Sequence, residues 1–402
     1  MKFKLFKLFI LVFILFVSVI FISSCSATAP DGSDYSAKGD AAPPNGNEEE
    51  QIMKPGQLTA CAYNDNDHFS FWQSLLTSTQ EGPGLFESFY ENFLFKTGNR
   101  IKIKVPSNMD VIVHLVDDQN NILFTSIPDA TGIAYLYSNT KQESYNICLE
   151  YKKLGESEVT KQYEVVTEDT EFILDATSEK SDTIQLMFVI DTTGSMGDEI
   201  RYLTAEVIDI IDKVKLSFPT VSLELAIMVY RDRNDEYLTN YSDFTTDIIS
   251  QQIFLSKQRA SGGGDFEEAV DVAMEEAAEK QWSSSAKTKI LVHVADAPSH
   301  DNDVASWTKS SLKLAEMGVR VITVASSGIN KKTEYLFRSQ SILTNGMYVY
   351  LTNDSGIGND HLEATVEERP TVEYLNASLV RLIKGYHTGV FEEAIYYLQQ
   401  QN

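Results

Sequence analysis

The chain has 402 residues, with 33 Lys+Arg against 58 Asp+Glu and a formal net charge of −25. That length accommodates two or three domains. The acidity excludes nucleic acid as a partner, because neutralising phosphates needs a basic face; it is the mark of a well-solvated surface.

Met1-Lys2-Phe3-Lys4-Leu5-Phe6-Lys7 is a cationic start, and Leu8 to Ile22 is apolar apart from Ser18. Ile22-Ser23-Ser24-Cys25 closes the run with small residues before a cysteine. The pattern is that of a secretory signal, and the run falls short of the about 20 residues of a spanning helix. The alternative is an uncleaved anchor. The last four residues resemble the lipobox of bacterial lipoproteins. That resemblance implies cleavage after residue 24 and lipidation of Cys25, hence a membrane-tethered envelope protein. Ser26 in place of Asp implies outer-membrane sorting, where the cell has such a membrane.

Residues 25–57 are rich in Ala, Pro, Gly, Asp, Asn and Glu and read as a tether. In residues 58–98, the spacing of Trp72, Leu75 and Leu76, and of Leu85, Phe89 and Phe93, predicts two short helices packing on the next domain. Residues 99–181 alternate as strands with turns at Asp117–Asn121 and Asp129–Gly132. Roughly seven such strands predict an antiparallel sandwich, and the pattern resembles Ig-like or carboxypeptidase-regulatory-like modules. Cys61 and Cys148 remain after signal removal. In an oxidising envelope they are either a disulfide or two buried thiols.

From residue 182 to about 390 strands alternate with helices, predicting an α/β fold: a doubly wound, mostly parallel sheet covered on both faces. Predicted strands cover Thr183–Ile190, Val221–Tyr230, Lys289–Ala295, Val319–Ala325 and Met347–Leu351. A hairpin strand is predicted near Tyr237–Tyr241, and helices at Gly197–Leu216, Asp247–Gln258, Asp265–Lys280, Val304–Met317, Lys331–Leu343 and Val372–Lys384. Ligands of such sheets bind at the carboxyl ends of the strands. Asp191 and Asp296 stand just past two such ends.

The turn Asp191-Thr192-Thr193-Gly194-Ser195 allows three chemistries. A nucleophile elbow requires a small residue where Thr193 stands, and His300 follows Asp296 too closely for one to orient the other. A phosphoryl-accepting aspartate lacks a second carboxylate two residues on. An oxygen-ligated metal uses all three side chains, since Asp191, Thr193 and Ser195 at i, i+2 and i+4 can converge on one point.

That spacing resembles the D-x-S-x-S motif of von Willebrand factor type A domains, with Thr193 for the first serine. The resemblance covers Asp182 to Lys384, half the chain. By that resemblance Thr245 is the loop threonine and Asp296 the last aspartate of a metal-ion-dependent adhesion site. The implied ion is Mg²⁺, with Mn²⁺ or Ca²⁺ as alternatives. In the family the hydroxyls bind directly and the aspartates act largely through water, leaving a position for a partner's carboxylate.

Asp232, in a Y-R-D-R stretch resembling that of a bacterial subset of these domains, either supports the site or belongs to a loop ion-pair network. Asp265 after Gly262-Gly263-Gly264 either borders the site or caps the next helix, with Glu268 completing a capping box. His114 and His293 lie on strands and read as structural. The expected function is cation-dependent binding of a protein or other acidic ligand, without catalysis. Two rivals are an assembly scaffold with a vestigial site and a metal-assisted hydrolase using Ser195.

Overall fold

Eleven residues, Ser181–Asp191 (β9), form the strand around which the larger sheet is built in a computed structural model that describes residues 53–80 and 82–400. The signal, Cys25 and most of the tether lie outside the described residues, among which no helix is long and apolar enough to cross a membrane. Ile184, Leu186, Phe188 and Ile190 of β9 point to one face, and Met187 and Val189 to the other. Both sets are buried, which is why the strand reads as a continuous apolar run.

The strands Ser222–Tyr230 (β10), Ala286–Ala295 (β12), Arg320–Ala325 (β13) and Met347–Leu351 (β14) run parallel with β9 in the order β10-β9-β12-β13-β14. Thr239–Thr245 (β11) adds an antiparallel edge beside β10. One face packs against Ile200–Ser217 (α3) and Leu375–Thr388 (α8); the other packs against Val270–Glu279 (α5), Val304–Glu316 (α6) and Lys331–Leu343 (α7). Ile248–Ser256 (α4) lies beside β10 and β11. The predicted α/β class and mostly parallel sheet are what the structure has.

The sequence reading missed one strand of this sheet. Thr59–Tyr63 (β1), placed in the aromatic segment, pairs antiparallel with β14 and with the short strand Glu373–Tyr374 (β15). Glu206 of α3 accepts hydrogen bonds from the amides of Gly56, Gln57 and Leu58 at 2.8, 2.8 and 3.1 Å, fixing the approach to β1. The predicted helices follow as Phe69–Leu76 (α1) and Glu87–Asn92 (α2), and Trp72 stacks on Tyr335 of α7 while Phe86 lies tilted against it. Arg338, fully buried on α7, reaches into this aromatic cluster and pairs with Asp65 at 2.6 Å and Glu334 at 3.1 Å.

Two smaller sheets lie between β1 and β9 in the chain. One has the order β4-β3-β6-β7, from Val111–Val116 (β3), Ile122–Ser126 (β4), Tyr145–Lys152 (β6) and Val159–Val166 (β7). The other joins Asn99–Lys104 (β2), Ile133–Ser138 (β5) and Thr170–Glu171 (β8). Their apolar side chains share a core with α5, α6 and α7. The Tyr137 hydroxyl donates to the carbonyl of Ile342 at 2.8 Å, and Arg320 Nη2 to that of Ile127 at 2.5 Å.

The disulfide alternative is corrected. Cys61 on β1 of the large sheet and Cys148 on β6 of a small one are both free and buried. His293 is a fully buried core histidine between Tyr230 and Gln340, and burial pushes its pKa down to about 3. His114 bonds Thr125 across the β3–β4 pair.

Candidate functional site

β9 ends at Asp191, whose strand partner on β10 is Tyr230. Beyond it the chain turns sharply into a 3₁₀ segment, Gly194–Asp198, before α3 begins. Asp191 Oδ1 accepts hydrogen bonds from the Thr193 amide at 2.8 Å and from Thr193 Oγ1 at 2.7 Å. Thr193 Oγ1 in turn lies 3.2 Å from Ser195 Oγ. The three side chains thus converge, as their spacing predicts. Thr192 turns away, its hydroxyl donating to the carbonyl of Tyr230.

A glycine-rich loop covers this turn. The Gly194 amide donates to the Gly262 carbonyl at 3.1 Å, and a Cβ on Gly194 would stand 2.9 Å from that oxygen. Gly262 and Gly263 both have positive φ, +81° and +79°, which glycine adopts without the steric cost other residues bear. Asp235 Oδ2 accepts from the amides of Gly263 (2.8 Å) and Asp232 (3.0 Å), tying this loop to the one after β10.

Asp296, one residue past β12, is brought to the same place. The Ser195 hydroxyl faces it, and its charge raises the pKa of Asp191. Burial and like charge hold both carboxyls well above the usual aspartate range. Glu268 joins them from the loop before α5: it is buried, lies beside Thr193, and is pushed up to about 9 by burial and by Asp191 and Asp232. Asp191 Oδ2, Asp296 Oδ1 and Glu268 Oε2 are all buried without a hydrogen-bond partner.

Glu268 is the residue the sequence reading misplaced. The capping box expected at Asp265 and Glu268 does not form, because α5 starts at Val270 behind Ala269. The Glu268 amide bonds the Pro298 carbonyl at 2.9 Å, holding the loop extended across the end of β12. The signal available was the acid run Asp265-Phe266-Glu267-Glu268 straight after three glycines.

Residues 185–358 match the family profile of the von Willebrand factor A domain. The chain carries a von Willebrand factor A domain. Among curated proteins, it is 23% identical over 229 residues to the alpha-protein kinase vwkA of Dictyostelium discoideum, covering 56% of this chain and 36% of that protein. It is 32% identical over 117 residues to a putative ariadne-like RING finger protein, R811, of Acanthamoeba polyphaga mimivirus, covering 29% of this chain and 11% of that one. The chain therefore spans about a third or less of these relatives' length.

Similar solved structures include the conserved hypothetical protein BatB of Bacteroides thetaiotaomicron. It is 14% identical with a TM-score of 0.35, covering 43% of this chain and 93% of that one. Another is an aerotolerance-related membrane protein of Bacteroides fragilis, 15% identical with a TM-score of 0.34, covering 52% and 100%.

The A domain does not bring Thr245 to the turn. Thr245 pairs with Leu225, whereas Asp191 pairs with Tyr230 five positions further along β10. At about 3.3 Å per residue that separates them by on the order of 16 Å along β10. β11 runs as far as Thr245, the position read as a loop, and Thr245 Oγ1 accepts from the Asp247 amide instead.

Asp232 and Asp265 border the site together with His300, one ligand atom of each lying within 4.8 Å of the others. The hydrolase constellation is not assembled: among the described residues Ser195 Oγ is hydrogen-bonded to Thr193, and His300 faces Asp265 at 3.7 Å. Two further acids follow the turn. Asp198 Oδ2 accepts from Ser327 and Asn359, and Glu199 Oε1 accepts from His361 Nε2 at 2.9 Å.

Proposed function

We propose that the A domain holds a divalent cation at Asp191, Thr193 and Ser195, with Asp296 and Glu268 behind them, and uses it to bind a partner's carboxylate. The observation that carries this reading is the trio of buried, unpartnered carboxylate oxygens on Asp191, Asp296 and Glu268 around two converging hydroxyls. Such groups cost several kcal/mol uncompensated (about 1–3 each even when neutral), and a cation offsets that cost while favouring their ionised forms.

The donor set is all oxygen, which suits Mg²⁺ first and Mn²⁺ or Ca²⁺ as alternatives. When bound, the ion supplies a Lewis-acidic position for an acidic side chain of a protein or other acidic ligand. The chain's residues do the rest. Asp191 orients Thr193 through two hydrogen bonds, Thr193 in turn holds Ser195, and the glycine loop keeps the turn narrow. Among the described residues the Ser195 hydroxyl is hydrogen-bonded to Thr193 and to no base, which favours binding over hydrolysis.

With Cys25 lipidated, the chain acts as an adhesion or interaction module tethered at the bacterial envelope. Calorimetry with Mg²⁺, Mn²⁺ and Ca²⁺ on wild type and Asp191→Ala tests the site. One ion bound by wild type and none by the variant is expected; equal binding in both, or none in either, would refute it. A pull-down from envelope extract with and without EDTA tests the partner, whose capture should be lost with the metal.

A further inference from the structure

We propose that Asp232, Asp265 and His300 form a second cation site, distinct from the Asp191 turn and favouring a transition ion such as Zn²⁺ or Mn²⁺ over Mg²⁺. Three loops supply the ligands: the one after β10, the glycine-rich loop before α5 and the one after β12. One ligand atom from each lies within 4.8 Å of the other two. Ligands around a single Zn²⁺ or Mn²⁺ sit about 3–4 Å apart, so a small inward movement of the exposed Asp265 completes the set.

Asp232 is the independent indicator. Its side chain is only 7% exposed, its Oδ1 is buried with no hydrogen-bond partner, and it faces Asp265 and His300. His300 Nδ1 is likewise buried and unpartnered. A loop built only for stability would spend the neighbouring arginines on these acids, yet they are engaged elsewhere. Arg233 pairs with Asp271 at 2.9 Å and Asp303 at 3.2 Å. Arg231 donates to the Arg259 carbonyl and stacks on Tyr237. Asp235 meanwhile pins the Asp232 and Gly263 amides, holding the first two loops in register without neutralising either ligand.

The donor chemistry separates this site from its neighbour. An imidazole with two carboxylates suits Zn²⁺, Mn²⁺ or Fe²⁺, whereas Mg²⁺ disfavours nitrogen. The all-oxygen turn instead accepts Mg²⁺ or Ca²⁺. Three protein ligands leave positions open to water or to an external ligand.

Pulsed electron paramagnetic resonance of the full chain loaded with Mn²⁺ reads the imidazole directly as a ¹⁴N modulation. The modulation is expected in wild type and in Asp191→Asn, and its loss is expected in His300→Gln, with circular dichroism and the melting temperature unchanged. Calorimetry should show Asp232→Asn weakening Mn²⁺ at this site at least about tenfold, or 1.4 kcal/mol. Wild type without nitrogen modulation, or His300→Gln retaining it, would overturn the site. Loss of the modulation in Asp191→Asn would overturn its independence from the turn. Modulation with a single bound ion would sustain this site while removing the proposed adhesion site.

Discussion

Arg338→Met should be among the most damaging single substitutions in the chain, and its cost should depend on pH. The guanidinium is fully buried and makes two hydrogen bonds to Asp65, at 2.6 and 3.0 Å, one to Glu334 and one to the Thr365 carbonyl. It lies 5.1–5.9 Å from the rings of Trp72, Tyr63, Phe86 and Tyr348, so a methionine of similar length fits the apolar part of its pocket. The loss falls unequally on its partners. Glu334 keeps Lys331 at 2.7 Å and the Thr365 amide at 2.7 Å, whereas Arg338 is the side chain that neutralises Asp65.

Breaking a buried pair by removing one partner costs about 3–5 kcal/mol, and nearly all of it should come from Asp65. Burial already raises the Asp65 pKa against the pull of Arg338, and without the arginine it rises further. A raised carboxylate contributes stability that is present below its unfolded pKa and lost as pH climbs through the folded one. Urea denaturation should therefore show the full loss near about pH 7, a smaller loss near about pH 4.5, and partial recovery in the Arg338→Met/Asp65→Asn double variant. A loss under about 1 kcal/mol, or the same loss at both pH values, would refute the argument.

Three other outcomes follow from the site and the cysteines. In EDTA the melting temperature should fall as pH rises from about 4.5 to about 9, because Glu268, Asp191 and Asp296 all have raised pKa values; Mg²⁺ should restore more stability at the alkaline end, and equal gains at both ends would count against a cation site. Glu268→Gln should weaken Mg²⁺ binding about tenfold or more by calorimetry, while Thr245→Ala leaves it unchanged; the reverse order would restore Thr245 as a ligand. A thiol reagent should find Cys61 and Cys148 unreactive in the native chain and reactive in denaturant, since burial raises both thiols; a missing pair of thiols after unfolding would mean a disulfide.

The parallel sheet was legible because each of its strands is buried on both faces and so reads as an apolar run bounded by turns. Asp191 and Asp296 could be placed for the same reason, standing one step past such runs. Long-range register was not legible. Thr245 looked like a loop residue because Asp243-Phe244-Thr245-Thr246-Asp247 is polar, yet an edge strand with one solvated face tolerates that composition. β1 escaped because five residues, Thr59–Tyr63, carry too little pattern to show that they pair with strands some 290 positions away. Glu268 was mistaken for a cap because D-x-x-E spacing is the same whether the acid turns to a helix terminus or into a buried cluster of carboxylates.

The way the chain enters the larger sheet sets a load path. β1 runs antiparallel to β14, with Ala60 opposite Leu351 and Thr59 hydrogen-bonded to Thr352, so residues 56–58 arrive at the end of the sheet where Asp191 and Asp296 stand. A pull delivered to residue 53 meets Glu206 on three amides and then a strand paired on both sides. The two small sheets, inserted between β1 and β9, lie outside that line. Tension between the start of the described chain and a ligand held at the turn would cross the A domain alone, leaving the inserted sheets as mechanical bystanders.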